Sequence, residues 1–131
     1  MKRVAALVAA AGLSRRYGGH KLHAVLDGRP VLAWTLDTLR ALPLAARIVV
    51  VAPDDAAAAA LARAAQANVV VNPTPARGLG SSLACGVRAL ADDMPDALDG
   101  VLVLLGDMPR VTAASIEALL ERYATLDAQA I

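Results

Sequence analysis

The feature that most limits what this chain can fold into is an apolar run that stops abruptly in a small, glycine-rich, basic segment. Val4 to Ala9 is apolar at every position, the pattern of a strand covered on both faces, as in a parallel sheet. Ala10-Ala11-Gly12 follows with almost no side chain. Then come Ser14, Arg15, Arg16 and Lys21 among Gly12, Gly18 and Gly19. Glycine lets the backbone approach a ligand closely, exposed N–H groups point at anionic oxygens, and Arg and Lys add charge. A strand feeding such a loop predicts an anion-binding surface. The spacing does not fit a Walker A loop: Gly12 and Gly18 are one residue too far apart, and no Ser or Thr follows Lys21. It does not fit a dinucleotide fingerprint either, because Gly12-Leu13-Ser14 lacks the second glycine.

Length and composition narrow the reading. With 131 residues the expectation is one domain spanning 1–131. Hydrophobic residues make up 57%, yet aromatics only 2% with no Phe, so Ala, Val and Leu must do the packing. A net charge of +1 argues against a general polyanion surface, and no nucleic-acid partner is expected. The single cysteine, Cys85, excludes an internal disulfide and is expected to act as a small buried hydrophobe. Lys2 and Arg3 precede too short an apolar run for a signal peptide, and no stretch has the ~20 apolar residues of a membrane span. A cytoplasmic location without membrane contact is the expectation.

Along the chain, Leu22–Leu26 reads as a short extended piece, Asp27-Gly28 as a turn, and Pro30 as part of the first turn of a helix. Leu32, Leu36 and Leu39 form its apolar stripe, which ends near Leu42-Pro43, with Trp34 close by in a packing role. Arg47–Ala52 is a second strand. Pro53-Asp54-Asp55 caps an alanine-rich helix over about Ala56–Gln66. Asn68–Val71 is a third strand, 72–80 a loop, and a helix runs from Ser81-Ser82 to about Ala91. Val101–Leu105 is a fourth strand. Thr112 should cap a last helix whose Ile116, Leu119, Leu120 and Tyr123 share one face. Alternating strands and helices predict right-handed βαβ units and an open, mostly parallel, Rossmann-like α/β sheet with helices on both faces. Ligands of such sheets bind beyond the carboxyl ends of the strands. A strand order of 3-2-1-4, assumed by analogy, would set the loop after Ala9 beside Gly106–Pro109.

Two further stretches carry candidate chemistry. Asp107 follows an apolar strand, poorly placed for a core and well placed for Mg²⁺, a hard cation that takes one or two carboxylates plus phosphates. A turn Asp bonding its own backbone is the competing reading. Asn72 offers the donor–acceptor pair that reads a base edge, or forms a turn before Pro73. Ser81 and Ser82, after Gly78 and Gly80, could donate from a helix N-terminus. His20 and His23 lack the neighbours of a metal site, and Ser14 lacks a hydrolase triad pattern.

The sequence A-A-G-x-S-x-R-x-G-x-x-K over Ala10–Lys21 closely resembles the signature of the MobA-like nucleotidyltransferases. L-L-G-D-M-P at Leu104–Pro109 and N-P-x-x-x-x-G-x-x-S-S-L from Asn72 to Leu83 resemble two further motifs of that family. The resemblance implies a nucleotide-diphospho-sugar-transferase-like fold and transfer of a nucleotidyl group from an NTP, with release of pyrophosphate. It implies Arg16, Lys21 and Asp107 as catalytic residues, with Mg²⁺ on Asp107. Ala10, Ala11, Gly12, Ser14, Lys21, Asn72, Gly80 and Ser82 are the implied nucleotide contacts. Ala10-Ala11-Gly12 looks like members that use CTP to make the dinucleotide form of the molybdenum cofactor, since guanine-using relatives carry A-G-G. The implied partners are CTP, a molybdopterin-type phosphate acceptor and a molybdenum enzyme. Two alternatives stay open: another MobA-like enzyme with GTP or a sugar or small-molecule phosphate, and a non-catalytic nucleotide-binding accessory domain. Family members are longer. The C-terminal part of the fold, with acceptor contacts and a second metal ligand, is therefore expected to be missing, which would leave an apolar sheet edge exposed; an enzyme remains the expectation, with a chain that binds nucleotide without turnover as the open alternative.

Overall fold

The computed structural model describes residues 3–12, 24–93, 98–108 and 111–125. Strand β1 is Val4–Ala10, followed by a two-residue hairpin, β2 Val25–Leu26 and β3 Arg29–Pro30. Helix α1 (Val31–Arg40), β4 (Ala46–Val51), α2 (Ala56–Ala64), β5 (Asn68–Val71), a 3₁₀ turn at Pro75–Arg77, α3 (Leu79–Asp93), β6 (Gly100–Leu105) and α4 (Ala113–Thr125) complete the order. The four long strands form one parallel sheet ordered β5-β4-β1-β6, which is the expected 3-2-1-4.

Period-two alternation divides the sheet into two apolar faces. Ala6, Val8, Ala10, Val49, Val51 and Leu104 pack with Leu32, Leu36 and Leu39 of α1, Ala58 and Ala62 of α2, and Ile116 of α4. Ala5, Leu7, Ile48 and Val50 face the opposite way, against Leu90, Leu83 and Cys85 of α3. Small side chains let these layers approach closely. At Gly86 an added Cβ would lie 2.3 Å from Leu7 Cδ1 and 2.8 Å from Leu7 Cγ, so α3 crosses β1 where only glycine fits.

Most local expectations hold, and some are corrected. Asp27 (φ 49°) and Gly28 (φ 82°) make a tight reversal, and the hairpin around it pairs Val25 with Pro30. Pro30 is therefore the last strand residue and not part of the helix; its ψ of 144° is extended. Trp34 does pack, donating its Nε1–H to Leu26 O at 2.7 Å and carrying the Arg29 guanidinium over its ring, which in turn pairs with Asp37. Helix α2 starts under the Asp55 cap, whose carboxylate accepts from Ala58 N. It ends two residues early because Gln66 takes φ 62° and Ala67 N–H bonds back to Ala62 O, a helix-reversing C-cap without glycine. Thr112 caps α4 through Ser115 N at 3.1 Å. Of that helix's expected apolar face, Ile116 is buried while Leu119 is 55% exposed, since α4 lies over one side of the sheet near its β6 edge. On the α3 side, β6 is uncovered among the described residues, leaving Val101, Val103 and Leu105 roughly 40% exposed. The expectation of a parallel sheet with helices on both faces holds, and among the described residues the α3-side face of β6 is the part left open.

Candidate functional site

Parallel register brings the carboxyl ends of all four long strands to one edge. Ala10 is level with Val51, Ala9 with Leu105, and Val51 with Val71. Gly106 N–H bonds to Ala9 O at 2.9 Å, and Asn72 N–H bonds to Val51 O at 2.9 Å. The segment Ala10-Ala11-Gly12 and the half-buried Asp107 therefore leave neighbouring strands side by side, with Asn72 two strands away. Ser14, Arg16 and Lys21 lie outside the described residues, as does Pro109.

Gly12 is exposed, and a Cβ there would meet nothing within 4 Å. The protein's own packing does not demand glycine at that position. Ala11 behaves differently. It is 1% exposed and belongs to the α3-side core with Leu7, Val50 and Leu90. Its methyl fills protein packing and does not project into open space, so its position offers no steric link to the choice of base.

Asn72 is fully buried at the end of β5. Its Nδ2 donates to Ser81 Oγ at 2.9 Å and Ser82 Oγ at 3.0 Å, while its Oδ1 accepts from Thr74 N at 2.9 Å. The side chain thus ties the post-β5 loop to the first turns of α3. Every polar atom of the amide is satisfied by protein, the arrangement a buried polar group needs. Ser81 Oγ also donates to Gly78 O at 2.7 Å. Ser82 is 4% exposed, and Gly80 is exposed in the first turn of α3. Of the pair proposed to offer hydroxyls to a ligand, Ser81 has its proton engaged within the loop.

Thr35 is a member of this neighbourhood that sequence reasoning did not single out. It sits 1% exposed on the core face of α1, and its Oγ1 donates to Gly106 O at 2.9 Å. Its only sequence signal is a threonine between Leu32 and Leu39 on an apolar stripe, which does not reveal a partner 71 residues away.

No group of three His, Cys, Asp or Glu side chains that could hold a metal occurs among the described residues. A closed protein cage for zinc or calcium is therefore not built from them. A single carboxylate at a ligand edge instead suits Mg²⁺, which keeps waters and substrate phosphates as its other ligands. Asp107 fits that requirement.

A parallel sheet whose strands all end at one edge is the open α/β architecture in which ligands bind beyond the carboxyl ends, and the fold is shared with solved nucleotidyltransferases. More specifically, residues 6–131 match the MobA-like NTP transferase domain, and the chain belongs to that family. It is 35% identical to the bifunctional protein GlmU of Sphingopyxis alaskensis over 98% of this chain and 28% of that protein. It is 38% identical to the 2-C-methyl-D-erythritol 4-phosphate cytidylyltransferase of Xanthomonas campestris over 88% of this chain and 44% of the relative. The chain therefore spans less than half the length of these relatives. Among solved structures, a nucleotidyl transferase from Methanothermobacter superposes with a TM-score of 0.75 at 27% identity, covering 92% of this chain and 58% of that one. Rv0371c of Mycobacterium tuberculosis in complex with manganese aligns at 0.62 and 25% identity, over 92% and 59%. No described helix is long and apolar enough to cross a membrane.

Proposed function

We propose that this chain carries the nucleotide-binding half of a Mg²⁺-dependent cytidylyltransferase that transfers CMP from CTP to the molybdopterin form of the molybdenum cofactor. The observation that supports a transferase most directly is the juxtaposition of Ala10-Ala11-Gly12 and Asp107 at the ends of β1 and β6, where Gly106 N–H bonds to Ala9 O. The sequence that follows Gly12 is glycine-containing and basic, and Asp107 is acidic. Their charges are complementary for a metal–triphosphate.

In the proposed reaction an acceptor phosphate oxygen attacks the α-phosphorus in line. A new P–O bond forms as the bond to the β-phosphate bridging oxygen breaks, and pyrophosphate leaves with that electron pair. Arg16 and Lys21 offset the charge that accumulates on the phosphates, and backbone N–H groups after Ala11 orient the triphosphate. A divalent cation, when bound at Asp107, supplies further positive charge at the phosphates. The absence of a packing reason for glycine at position 12 suits a backbone that a ligand must approach. The manganese complex of Rv0371c favours a divalent metal in this fold, and the cytidylyltransferase from Xanthomonas favours CTP as donor. The A-A-G sequence favours the same donor by resemblance of the motif alone, since Ala11 is buried in the core. The molybdopterin acceptor rests on resemblance of the motifs.

A second reading, CMP transfer to a small sugar- or polyol-phosphate, draws on the 38% identity to the methylerythritol phosphate enzyme. Turnover of α-labelled CTP, GTP and UTP, with molybdopterin-form cofactor and with small phosphate acceptors, separates the two. The expected outcome is CTP use with the molybdopterin acceptor, and tighter Mg²⁺-dependent binding of CTP than of GTP. Equal or better GTP binding overturns the cytidylyl assignment.

A further inference from the structure

Asp107 follows a glycine that is hydrogen-bonded on one side to β1 and on the other to α1. Gly106, the residue before it, has no side chain to restrict its torsions. Its N–H is held by Ala9 O of β1 at 2.9 Å, and its carbonyl by Thr35 Oγ1 at 2.9 Å. Because the peptide group is planar, fixing the Gly106 carbonyl also fixes the Asp107 N–H at the other end of the same bond. Val111 is approached from the same helix. Thr38, one turn beyond Thr35, places its Oγ1 3.2 Å from Val111 O while sharing its proton with Trp34 O at 3.1 Å. Val111 N–H reaches Met108 O, and Leu105 N–H faces Met108 Sδ. Two threonines, spaced i and i+3 on one helix, thus grip the carbonyls at 106 and 111, one on each side of the aspartate.

Threonine is an expensive choice at position 35. It is β-branched within a helix and puts a hydroxyl among Leu32, Leu36 and Leu39, where an aliphatic side chain would fill the same space without a polar group to satisfy. The Gly106 carbonyl explains its presence.

We propose that Thr35, supported by Thr38, is a positioning residue that sets the orientation of Asp107 toward metal-bound nucleotide, so that α1 couples the nucleotide edge to the core. The inference rests on the metal role given to Asp107 under the proposed function.

The test compares Thr35→Val, Thr35→Ser, Thr38→Val and Asp107→Asn in the full chain, with calorimetry of CTP in the presence and absence of Mn²⁺ and with amide hydrogen exchange at Asp107. Thr35→Val should weaken Mn²⁺–CTP binding by about tenfold, the scale on which residues behind metal ligands act. It should speed exchange of the Asp107 amide and leave metal-free CTP binding unchanged. Thr35→Ser, which keeps the hydroxyl, should restore both. A folded Thr35→Val variant with unaltered Mn²⁺–CTP affinity overturns the proposal. Should that variant not fold, Thr38→Val carries the test: a smaller loss confined to the metal-dependent arm supports the proposal, and no loss overturns it. Asp107→Asn separates the two levels of inference. If it leaves metal dependence intact, the proposed function fails and this inference with it. If it abolishes metal dependence while the threonine variants do not alter it, only the positioning role fails.

Discussion

Asn72 shows how one residue can satisfy a binding motif and a structural role that predict opposite experiments. Its amide spans the end of β5 and the start of α3 through Ser81, Ser82 and Thr74, and it has no exposed surface. Asn72→Ala should therefore cost about 1–3 kcal/mol of stability in the absence of any nucleotide, because the buried Ser82 hydroxyl loses its donor. Urea denaturation of the free protein measures this. A variant of unchanged stability that binds CTP more weakly would make Asn72 a ligand-reading residue instead. The sequence offered both readings evenly, since Asn before Pro serves turns and base edges alike. Burial separates them in the free protein, and burial is a tertiary property.

At the scale of elements, α3 provides the sharpest test. Glycine costs about 1 kcal/mol in a helix interior relative to alanine, so Gly86→Ala would be stabilising in an isolated helix. Here the added methyl would meet Leu7, which is itself fully buried and cannot swing away. Overpacking of this kind costs about 1–3 kcal/mol, enough to cancel or exceed the gain in propensity. Gly86→Ala should lower the thermal midpoint, Gly86→Val should lower it further, and Leu7→Ala should partly rescue Gly86→Ala. Differential scanning calorimetry of the single and double variants checks all three. The end of α2 teaches a related lesson. Gln66 adopts a left-handed backbone usually given to glycine, so its helix stop carried no local signal.

For the whole molecule, the asymmetry of the sheet matters most. Among the described residues, helices α1, α2 and α4 share one face, whereas α3 alone covers the other. Strand β6, with no charge and no proline from Gly100 to Leu105, is at the edge of the described sheet and exposes Val101, Val103 and Leu105. An apolar edge strand without such protective residues is prone to pair with other chains. This 131-residue chain should accordingly self-associate as its concentration rises, and Val103→Lys should shift it toward the monomer with little change in far-ultraviolet circular dichroism. Sedimentation velocity over a concentration series reads the shift, and a wild-type chain that stays monomeric throughout would show the edge to be protected.

What the sequence determined by itself was local and periodic. Apolar runs and 3.6-residue stripes placed the four long strands and four helices nearly where they lie, because side-chain burial imposes those periods on neighbouring residues. The same signals located the loop after Ala10 and the carboxylate at Asp107 at strand ends, and the motifs there identified the family. Tertiary structure decided whatever depends on contacts between distant residues. The strand order was assumed by analogy, since no local pattern specifies which strand will flank β1. The burial of Ala11 and Asn72, the grip of Thr35 on Gly106, and the uncovered face of β6 follow from packing that joins residues tens of positions apart. Those contacts form only when whole layers close on one another, so their partners cannot be read from the residues on either side.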